Sequence, residues 1–260
     1  MATALIGGLV AKGFDPRAIS VIELSPAARE RLGARYPVHV ATAPDAAMQS
    51  SDTLVLAVKP QDMRAALASL ATAVRGKLVV SIAAGVTLEA LSRWLGGHRK
   101  LVRCMPNTPA LVGAGIAGLY ALPEVSAEER KRAEAILRAV GEVVWLEDER
   151  LLDAVTAVSG SGPAYVFWFI EQLAASAVRL GLPRDAALQL ALQTVLGAAK
   201  LAAASGKSPS DLRKDVTSKG GTTEAALRVF EEEGLAERLA RALQAAARRS
   251  EELGTALGKD

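Results

Sequence analysis

The sequence is poor in the residues that build several common kinds of site. Its 260 residues include one cysteine, Cys104, and two histidines, His39 and His98. A single cysteine excludes an intrachain disulfide, and no histidine has the spacing of a metal ligand, so we predict no metal site. Aromatic residues make up 4% of the chain, too few for a nucleic-acid surface built from stacked rings. These absences favour a cytoplasmic protein without a nucleic-acid partner.

An excess of charge of one sign and long apolar runs are also missing. The 31 Lys and Arg residues are nearly balanced by 28 Asp and Glu, and both kinds are spread along the chain. We therefore predict no basic patch for a polyanion. No uninterrupted apolar run reaches the roughly 18 residues of a membrane helix. The first residues lack the basic leader of a signal peptide, and we expect no membrane partner.

The chain does have a large share of apolar residues in a regular arrangement. Hydrophobic residues make up 50% of it, enough for two domains with cores of their own. Residues 1–150 alternate short β-branched runs with helical patterns, which is typical of a parallel sheet with crossover helices. After residue 151 the strand signal disappears. The predicted fold is α/β: a Rossmann-like nucleotide-binding domain in 1–150, followed by an all-helical domain in 151–260.

The pattern also places individual elements. Strands are predicted at 19–23, 38–40, 53–58, 78–82, 101–105, near Leu119 and at 143–146. Helices of the second domain are predicted at 153–180, 184–205, 209–212, 223–233 and 235–257. Residues 186–204 are apolar on nearly every face, which is more than packing on one side requires. We interpret this helix as a dimer interface; a central position within its own domain is the alternative.

The segment 216–223, VTSKGGTT, is the most informative in the chain. Two glycines and several hydroxyls lead directly into an alanine- and leucine-rich helix that follows Glu224. Backbone N–H groups and Thr side chains therefore converge where the helix dipole is positive, which suits a small carboxylate. A capped helix preceded by a glycine turn is the alternative interpretation.

Five motifs in order along the chain resemble those of one enzyme family. They are VKPQ (58–61), SIAAG (81–85), RCMPNTP (103–109), SGSGPAY (159–165) and VTSKGGTT (216–223). Together they are similar to pyrroline-5-carboxylate reductase, over essentially the whole chain. The resemblance implies an oxidoreductase that reduces L-1-pyrroline-5-carboxylate to L-proline with NADPH or NADH, the last step of proline biosynthesis. It also implies a helical domain that interlocks with its partner in a homodimer, with rings of dimers in many members.

The resemblance assigns cofactor-binding residues to the ends of several strands. The positions that should lie along the dinucleotide or near its nicotinamide are Ala57, Val58, Lys59, Pro60, Ile82, Ala83, Ala84, Met105, Pro106 and Asn107. Glu23 ends the strand whose acidic residue normally binds the ribose hydroxyls and repels a 2′-phosphate. That favours NADH, whereas Arg29 and Arg31 nearby could serve a phosphate. NADPH and NADH both stay open.

The substrate end is assigned to segment 216–223. A cyclic imine accepts hydride more readily when it is protonated, so a hydroxyl beside the ring nitrogen is sufficient help. We assign that catalytic role to Thr223. Ser218 and the N–H groups of Gly221 and Thr222 are expected to hold the substrate carboxylate. The resemblance implies that Thr222 and Thr223 hold the substrate across the dimer interface.

The sequence departs from the family pattern at its beginning. Family members open with a strand and a glycine-rich GxGxM loop, whereas residues 1–9 here look like the helix that follows them. The first strand and the pyrophosphate loop are therefore expected to be missing from this chain. Two alternatives remain: a truncated or degenerate dimeric homologue with an assembly or regulatory role, and a reductase of another imine or of a 3-hydroxy acid. The absence of lysine from 153–180 counts against a 3-hydroxy-acid enzyme.

Overall fold

The computed structural model describes residues 1–68, 70 and 73–258. Its internal contacts divide the chain into two compact units. The first unit comprises Met1–Ser161 together with Ala246–Asp260, and the second comprises Gly162–Ala245. The first unit alternates helices and strands, and the second is helical throughout.

The elements of the first unit follow the predicted alternation closely. The strands are β1 (Ser20–Ile22), β2 (His39–Ala41), β3 (Thr53–Leu56), β4 (Leu78–Ser81), β5 (Leu101–Met105), β6 (Gly115–Ala121) and β7 (Gly141–Trp145). The helices are α1 (Ala2–Ala11), α2 (Pro26–Arg35), α3 (Ala46–Gln49), α4 (Met63–Ala68), α5 (Leu88–Trp94), α6 (Ala127–Arg138) and α7 (Leu151–Val155). Short 3-10 turns lie at Pro16–Ala18, Pro60–Asp62 and Thr108–Val112.

The strands form two sheets rather than one. Strands β1 and β2 pair with each other in parallel, and the order of the larger sheet is β3-β4-β5-β6-β7. Strands β3, β4 and β5 are parallel, but β6 runs antiparallel to β5. The prediction of a parallel sheet is therefore wrong at β6. The physical reason is that β5 and β6 are joined by a short loop, and a parallel pair would need a crossover connection of a dozen residues or more.

The core of the first unit lies on both faces of the larger sheet. All four residues of β4 are buried, as are the first four of β5. One apolar cluster contains Leu5 of α1 and Leu137 of α6. The other contains Met63 of α4 and Leu91 of α5. Strands buried on both faces read as continuous apolar runs, which is why β4 and β5 were visible in the sequence.

Helix α1 packs closely against the end of α6. A Cβ atom added to Gly8 would lie 2.5 Å from the carbonyl oxygen of Ala139 and 2.5 Å from a methyl group of Val140. Only a glycine allows such an approach of a helix to a backbone carbonyl. Gly8 therefore has a packing role that the sequence did not reveal.

The helix predicted at 153–180 is interrupted. Helix α7 passes into a π-helical turn at Thr156–Gly160, in which the Ser161 N–H donates to the Thr156 carbonyl at 2.8 Å. Helix α8 (Gly162–Arg179) then begins, with Pro163 in its first turn, where a missing N–H costs nothing. The turn brings Gly160 against the side chain of Met105, and a Cβ at Gly160 would be 2.5 Å from the Met105 methyl carbon. Such π-helical turns frequently mark functional sites.

The second unit has little interior of its own. It contains α8, α9 (Arg184–Ser205), α10 (Pro209–Asp215), α11 (Thr222–Glu232) and the first part of α12 (Leu235–Leu257). Its only buried residues are Ala187 and Ala191. Large apolar side chains such as Trp168, which is 59% exposed, remain on its surface. The α8 and α9 pair is therefore covered by very little of this subunit.

Helix α9 is apolar on average but not without interruption. Among the described residues it is the one helix long and apolar enough, by length and composition, to cross a membrane, with a mean hydropathy of 1.3. Polar residues such as Gln189 and Gln193 interrupt its apolar run. The expectation that no uninterrupted apolar run reaches membrane length therefore agrees with α9.

Candidate cofactor edge and substrate loop

The predicted cofactor residues gather at one edge of the larger sheet, which we call the cofactor edge. Residues 57–60 follow β3, residues 82–84 follow β4, and residues 105–107 lie at the end of β5. Because these strands are parallel neighbours, their carboxyl ends meet at the same side of the sheet. Open α/β sheets bind nucleotides at that side. The fold therefore brings together ten positions that are spread over 50 residues of sequence.

The loops after β3 and β4 present small side chains and backbone at this edge. Ala57, Lys59 and Ala84 are exposed. The loop after β4 is held by two hydrogen bonds: the Ile82 N–H donates to the Leu56 carbonyl at 3.1 Å, and the Ala83 N–H donates to the Ser81 hydroxyl at 3.3 Å. Small exposed residues on a tethered loop leave room for close approach of a dinucleotide, so this part of the edge fits the cofactor.

Asn107 and Met105 are tied to neighbouring elements. Asn107 is buried, and its side-chain oxygen accepts the Ile116 N–H of β6 at 3.0 Å. Met105 lies against Gly160, as described above. Residues at the end of β5 are therefore held by contacts with two neighbouring elements. Rigid support is what a site needs to hold a reacting ring in one orientation.

Glu23 follows β1, as the sequence predicted. Its Oε1 atom accepts the Ser25 N–H at 2.8 Å, and Ser25 in turn caps α2. The Arg29 guanidinium donates to the carbonyls of Glu23 and Leu24 at 2.9 and 2.8 Å. Arg29 is therefore engaged with backbone, whereas Arg31 is exposed. This arrangement places a carboxylate, rather than a free guanidinium, directly at the strand end.

The described part of the chain has one thiol and no cluster of potential metal ligands. No group of three or more His, Cys, Asp and Glu side chains there could hold a metal ion. Cys104 is fully buried in β5, and burial raises the pKa of its thiol far above the usual range. A thiol that stays protonated is a packed small residue and not a nucleophile.

The substrate loop, residues 216–223, folds as a turn that leads into α11. The Gly220 N–H donates to the Glu224 carboxylate at 2.7 Å, and the Gly221 N–H donates to the Ser218 carbonyl at 3.0 Å. Gly221 has no room for a side chain, because a Cβ there would lie 2.5 Å from the Ser218 hydroxyl oxygen. Gly221 thus closes the turn with its N–H group, which was predicted to bind the substrate carboxylate.

The donors that remain free are those of the first turn of α11. No side chain caps this helix. The N–H groups of Thr222, Thr223 and Glu224 have no acceptor among residues 1–68, 70 and 73–258. Thr222 is exposed and Thr223 is half-buried. Free N–H groups at the positive end of an 11-residue helix form a site for an anion such as a carboxylate.

One feature of the first unit was missed from the sequence. Arg103 is a buried cation within β5, and its guanidinium donates to Glu149 at 2.9 Å. Glu149 precedes α7 in the chain and accepts the first N–H of α5. The available signal was an arginine in the middle of an apolar strand, which needs a partner.

These features define a class: a Rossmann-type oxidoreductase with a helical dimerisation domain. Residues 1–85 match the family described as NADP oxidoreductase, coenzyme F420-dependent. Residues 149–253 match the family described as pyrroline-5-carboxylate reductase dimerisation. Both matches agree with the predicted fold class, which is confirmed.

Similarity over the whole chain identifies the family. The chain is 45% identical over 260 residues to pyrroline-5-carboxylate reductase of Pseudomonas aeruginosa, covering 100% of this chain and 95% of the relative. The solved structure of a pyrroline-5-carboxylate reductase from Coxiella burnetii matches with 40% identity and a TM-score of 0.92, covering 97% and 94% of the two chains. The Plasmodium falciparum enzyme, with NADP bound, matches with 28% identity and a TM-score of 0.84 over the same shares. The chain belongs to the pyrroline-5-carboxylate reductase family, as its motifs predicted.

Proposed function

We propose that this protein reduces L-1-pyrroline-5-carboxylate to L-proline with NADPH or NADH. The observation that carries the proposal is the first turn of α11. Its free N–H groups form a carboxylate site beside two threonine hydroxyls, in a chain that belongs to this reductase family. A substrate that combines a carboxylate with a neighbouring ring imine matches those donors in both charge and size.

The cofactor lies along the cofactor edge in this proposal. Ala57, Val58, Lys59, Pro60, Ile82, Ala83 and Ala84 contact the dinucleotide, and Met105, Pro106 and Asn107 lie near its nicotinamide. When bound, the cofactor supplies the hydride. The chain contributes the tethered loops that orient it, together with Glu23 at the ribose. Arg31 and the exposed face of α2 are available to a 2′-phosphate, so both cofactors are candidates.

The substrate is held by the substrate loop. The N–H groups of Thr222 and Thr223 bind its carboxylate with help from the Ser218 hydroxyl, and Gly221 provides the tight turn that brings Ser218 to the helix end. The Thr223 hydroxyl lies beside the ring nitrogen and supports its protonated form. Hydride adds to the carbon of the C=N bond, the nitrogen keeps the proton, and the product is a saturated ring.

The proposal includes a homodimer whose interface is formed by the helical domain in 151–260. The Rossmann domain in 1–150 precedes that domain in the chain. The exposed apolar side chains of α8 and α9 support it, since the largest exposed patches of a monomer mark interaction sites. A ring of dimers is the larger assembly that the resemblance suggests. The single, buried cysteine fits a reducing cytoplasm.

Thr223→Ala tests the catalytic assignment. We expect kcat/KM for pyrroline-5-carboxylate to fall by about a hundredfold, the usual size of a lost acid-base contribution, while cofactor affinity stays unchanged. Thr223→Ser should keep most of the rate because it keeps the hydroxyl. Thr217→Ala is the matched control, since the Thr217 hydroxyl donates to the Arg213 carbonyl at 2.6 Å and is not free. Equal rates for wild type and Thr223→Ala would remove Thr223 from the mechanism.

Glu23→Ser tests the cofactor assignment. The ratio of kcat/KM for NADPH to that for NADH should rise roughly tenfold, the worth of one charge-assisted hydrogen bond. Glu30→Ser, on the exposed side of α2, is the control for a general change of charge. An unchanged ratio would place the ribose elsewhere.

A further inference from the structure

Arg103 is a buried charge in the strand that leads to the nicotinamide end of the cofactor edge. Its side chain is 7% exposed, and it lies two residues before Met105. A buried guanidinium is costly unless it has an ionic partner. That partner is Glu149, whose Oε1 atom lies 2.9 Å from Nη1 of Arg103. Glu149 belongs to the connection between β7 and α7, far from Arg103 in sequence.

The same oxygen of Glu149 has a second partner. Oε1 accepts the N–H of Leu88, the first residue of α5, at 2.8 Å. The Thr87 hydroxyl accepts a different N–H of this helix, that of Ala90, at 3.2 Å. The first turn of α5 is therefore capped twice, once by its own N-cap residue and once by a carboxylate from another element. A negative charge at this position also interacts favourably with the positive end of the helix dipole.

These two bonds connect two loops of the cofactor edge. The loop after β4, residues 82–87, ends at the helix that Glu149 caps. Residues 105–107, at the end of β5, start two residues beyond the arginine that Glu149 pairs with. The hydrogen-bond partners of Glu149, Leu88 and Arg103, are not among the residues assigned to the cofactor. One carboxylate oxygen thus bonds both α5 and β5, the two elements that adjoin these loops.

We infer that Glu149 is a positioning residue for cofactor binding, acting through Arg103 and the N-terminus of α5. The inference rests on the proposed function only in taking these loops as the cofactor site. Removal of the charge lets α5 and β5 separate, so the two loops hold the dinucleotide less well. The chemical step is unaffected once cofactor is saturating, because Glu149 lies at no reacting atom. Groups of this kind commonly tune a site from outside it.

A graded pair of variants separates positioning from folding. Glu149→Gln keeps an acceptor for the Leu88 N–H but loses the charge that Arg103 needs, and Glu149→Ala loses both. We expect the Kd for NADPH to rise about tenfold in Glu149→Gln, the size of one hydrogen bond to a charged group, and further in Glu149→Ala. The KM for pyrroline-5-carboxylate and kcat at saturating NADPH should stay within a factor of about two of wild type.

Another ion pair, just before the start of the same strand, supplies the control. Arg99 precedes β5 and donates to Glu124 at 2.8 Å, at the opposite end of the strand from the cofactor edge. Glu124→Gln should leave the Kd for NADPH unchanged. Calorimetric titration with NADPH measures Kd without turnover, and a melting curve of each variant monitors folding.

Two results would overturn the inference. One is a Glu149→Gln protein with wild-type NADPH affinity and a lowered melting temperature, which would make Glu149 purely structural. The other is an equal loss of affinity in Glu124→Gln, which would make the effect unspecific. A wild-type protein that binds NADPH but does not reduce pyrroline-5-carboxylate would contradict the proposed function and leave this test intact.

Discussion

The two compact units of this chain bury their apolar residues in opposite ways. In the first unit, two apolar clusters fill the space on either side of the larger sheet, and nine of its largest apolar side chains, Met63 and Leu91 among them, are almost fully buried. In the second unit, only Ala187 and Ala191 are buried, and leucines of α9 such as Leu188 and Leu192 are 54% and 53% exposed. Folding of a single subunit thus removes most apolar surface of one unit from water and little of the other.

This difference indicates which interactions stabilise each unit. Apolar burial is the dominant favourable contribution to folding, so the first unit has what an independent domain requires. The second unit buries too little apolar surface for that. In the proposed homodimer, its helices are stabilised by a surface outside this subunit. The dimerisation family matched by residues 149–253 supports a second copy of the chain as that surface.

The largest expected effect comes from breaking the exposed apolar face of α9. Leu188→Glu combined with Leu192→Glu places charges one helical turn apart on that face. Each buried leucine is worth about 2 kcal/mol, and a symmetric dimer loses four, so Kd for dimerisation should rise by roughly six orders of magnitude. Sedimentation velocity should show monomers, and reductase activity should be lost.

A matched substitution in the first unit completes that test. Phe14→Glu changes a side chain of similar character that is 50% exposed. It should leave the dimer intact, because Phe14 lies in the first unit, which has an apolar core of its own. Dimeric Leu188→Glu/Leu192→Glu protein would show that α9 is not the interface.

A second prediction concerns close packing inside the first unit. Gly8→Ala places a methyl group 2.5 Å from the Ala139 carbonyl oxygen, and overpacking of this kind costs about 1–3 kcal/mol. Gly33→Ala in α2 meets nothing within 4 Å, and an alanine in a helix is favoured over glycine by about 1 kcal/mol. Urea unfolding followed by circular dichroism should therefore show the two substitutions with opposite signs. Equal effects would mean that α1 is not held against α6.

The smallest expected effect is a pH dependence confined to the first unit. Burial raises the pKa of Glu129, but the Lys100 ammonium at 2.7 Å and hydrogen bonds from Ser126 outweigh it and hold the pKa below its usual value. A carboxylate with a lowered folded-state pKa stabilises the protein above its unfolded pKa, and this stabilisation is lost as the pH falls through the folded value.

Glu129→Gln measures that contribution. Loss of the ion pair with Lys100 should cost about 1 kcal/mol of unfolding free energy at pH 7. The difference from wild type should shrink as the pH falls below the usual pKa of a glutamate. Glu128→Gln, on the exposed side of α6, should show no such convergence. A difference that stays constant with pH would assign the effect to packing. The oligomeric state should be unchanged throughout.

Much of the fold could be predicted because its signals are local. The bounds of β5, α9 and α12 agree with the sequence, since each is a long apolar or amphipathic pattern that ends at a glycine, a proline or a charged turn. The antiparallel direction of β6 and the π-helical turn at Thr156–Gly160 could not be predicted. Both depend on contacts between elements, and the contact of Met105 with Gly160 joins residues 55 positions apart.

The candidate site divides in the same way. The helix N-terminus at Thr222 was visible from the sequence, because two glycines and two hydroxyls precede a helical pattern there. The use of the Gly221 N–H by the Ser218 carbonyl was not visible, since it depends on how the turn closes. The contacts of Glu149 could not be predicted, because its partners Leu88 and Arg103 are 61 and 46 residues away.

The sequence by itself determined the family, the α/β and helical halves, and the residues that flank the strands of the cofactor edge. It could do so because motifs, periodicity and turn residues act over a few positions of the chain. Only the tertiary structure decided which of those residues share one edge, which N–H groups of the substrate loop remain free, and which carboxylate caps α5. Each of these depends on the direction in which distant segments meet, and a hydrogen bond or a buried charge is satisfied by proximity in space, not by proximity in sequence.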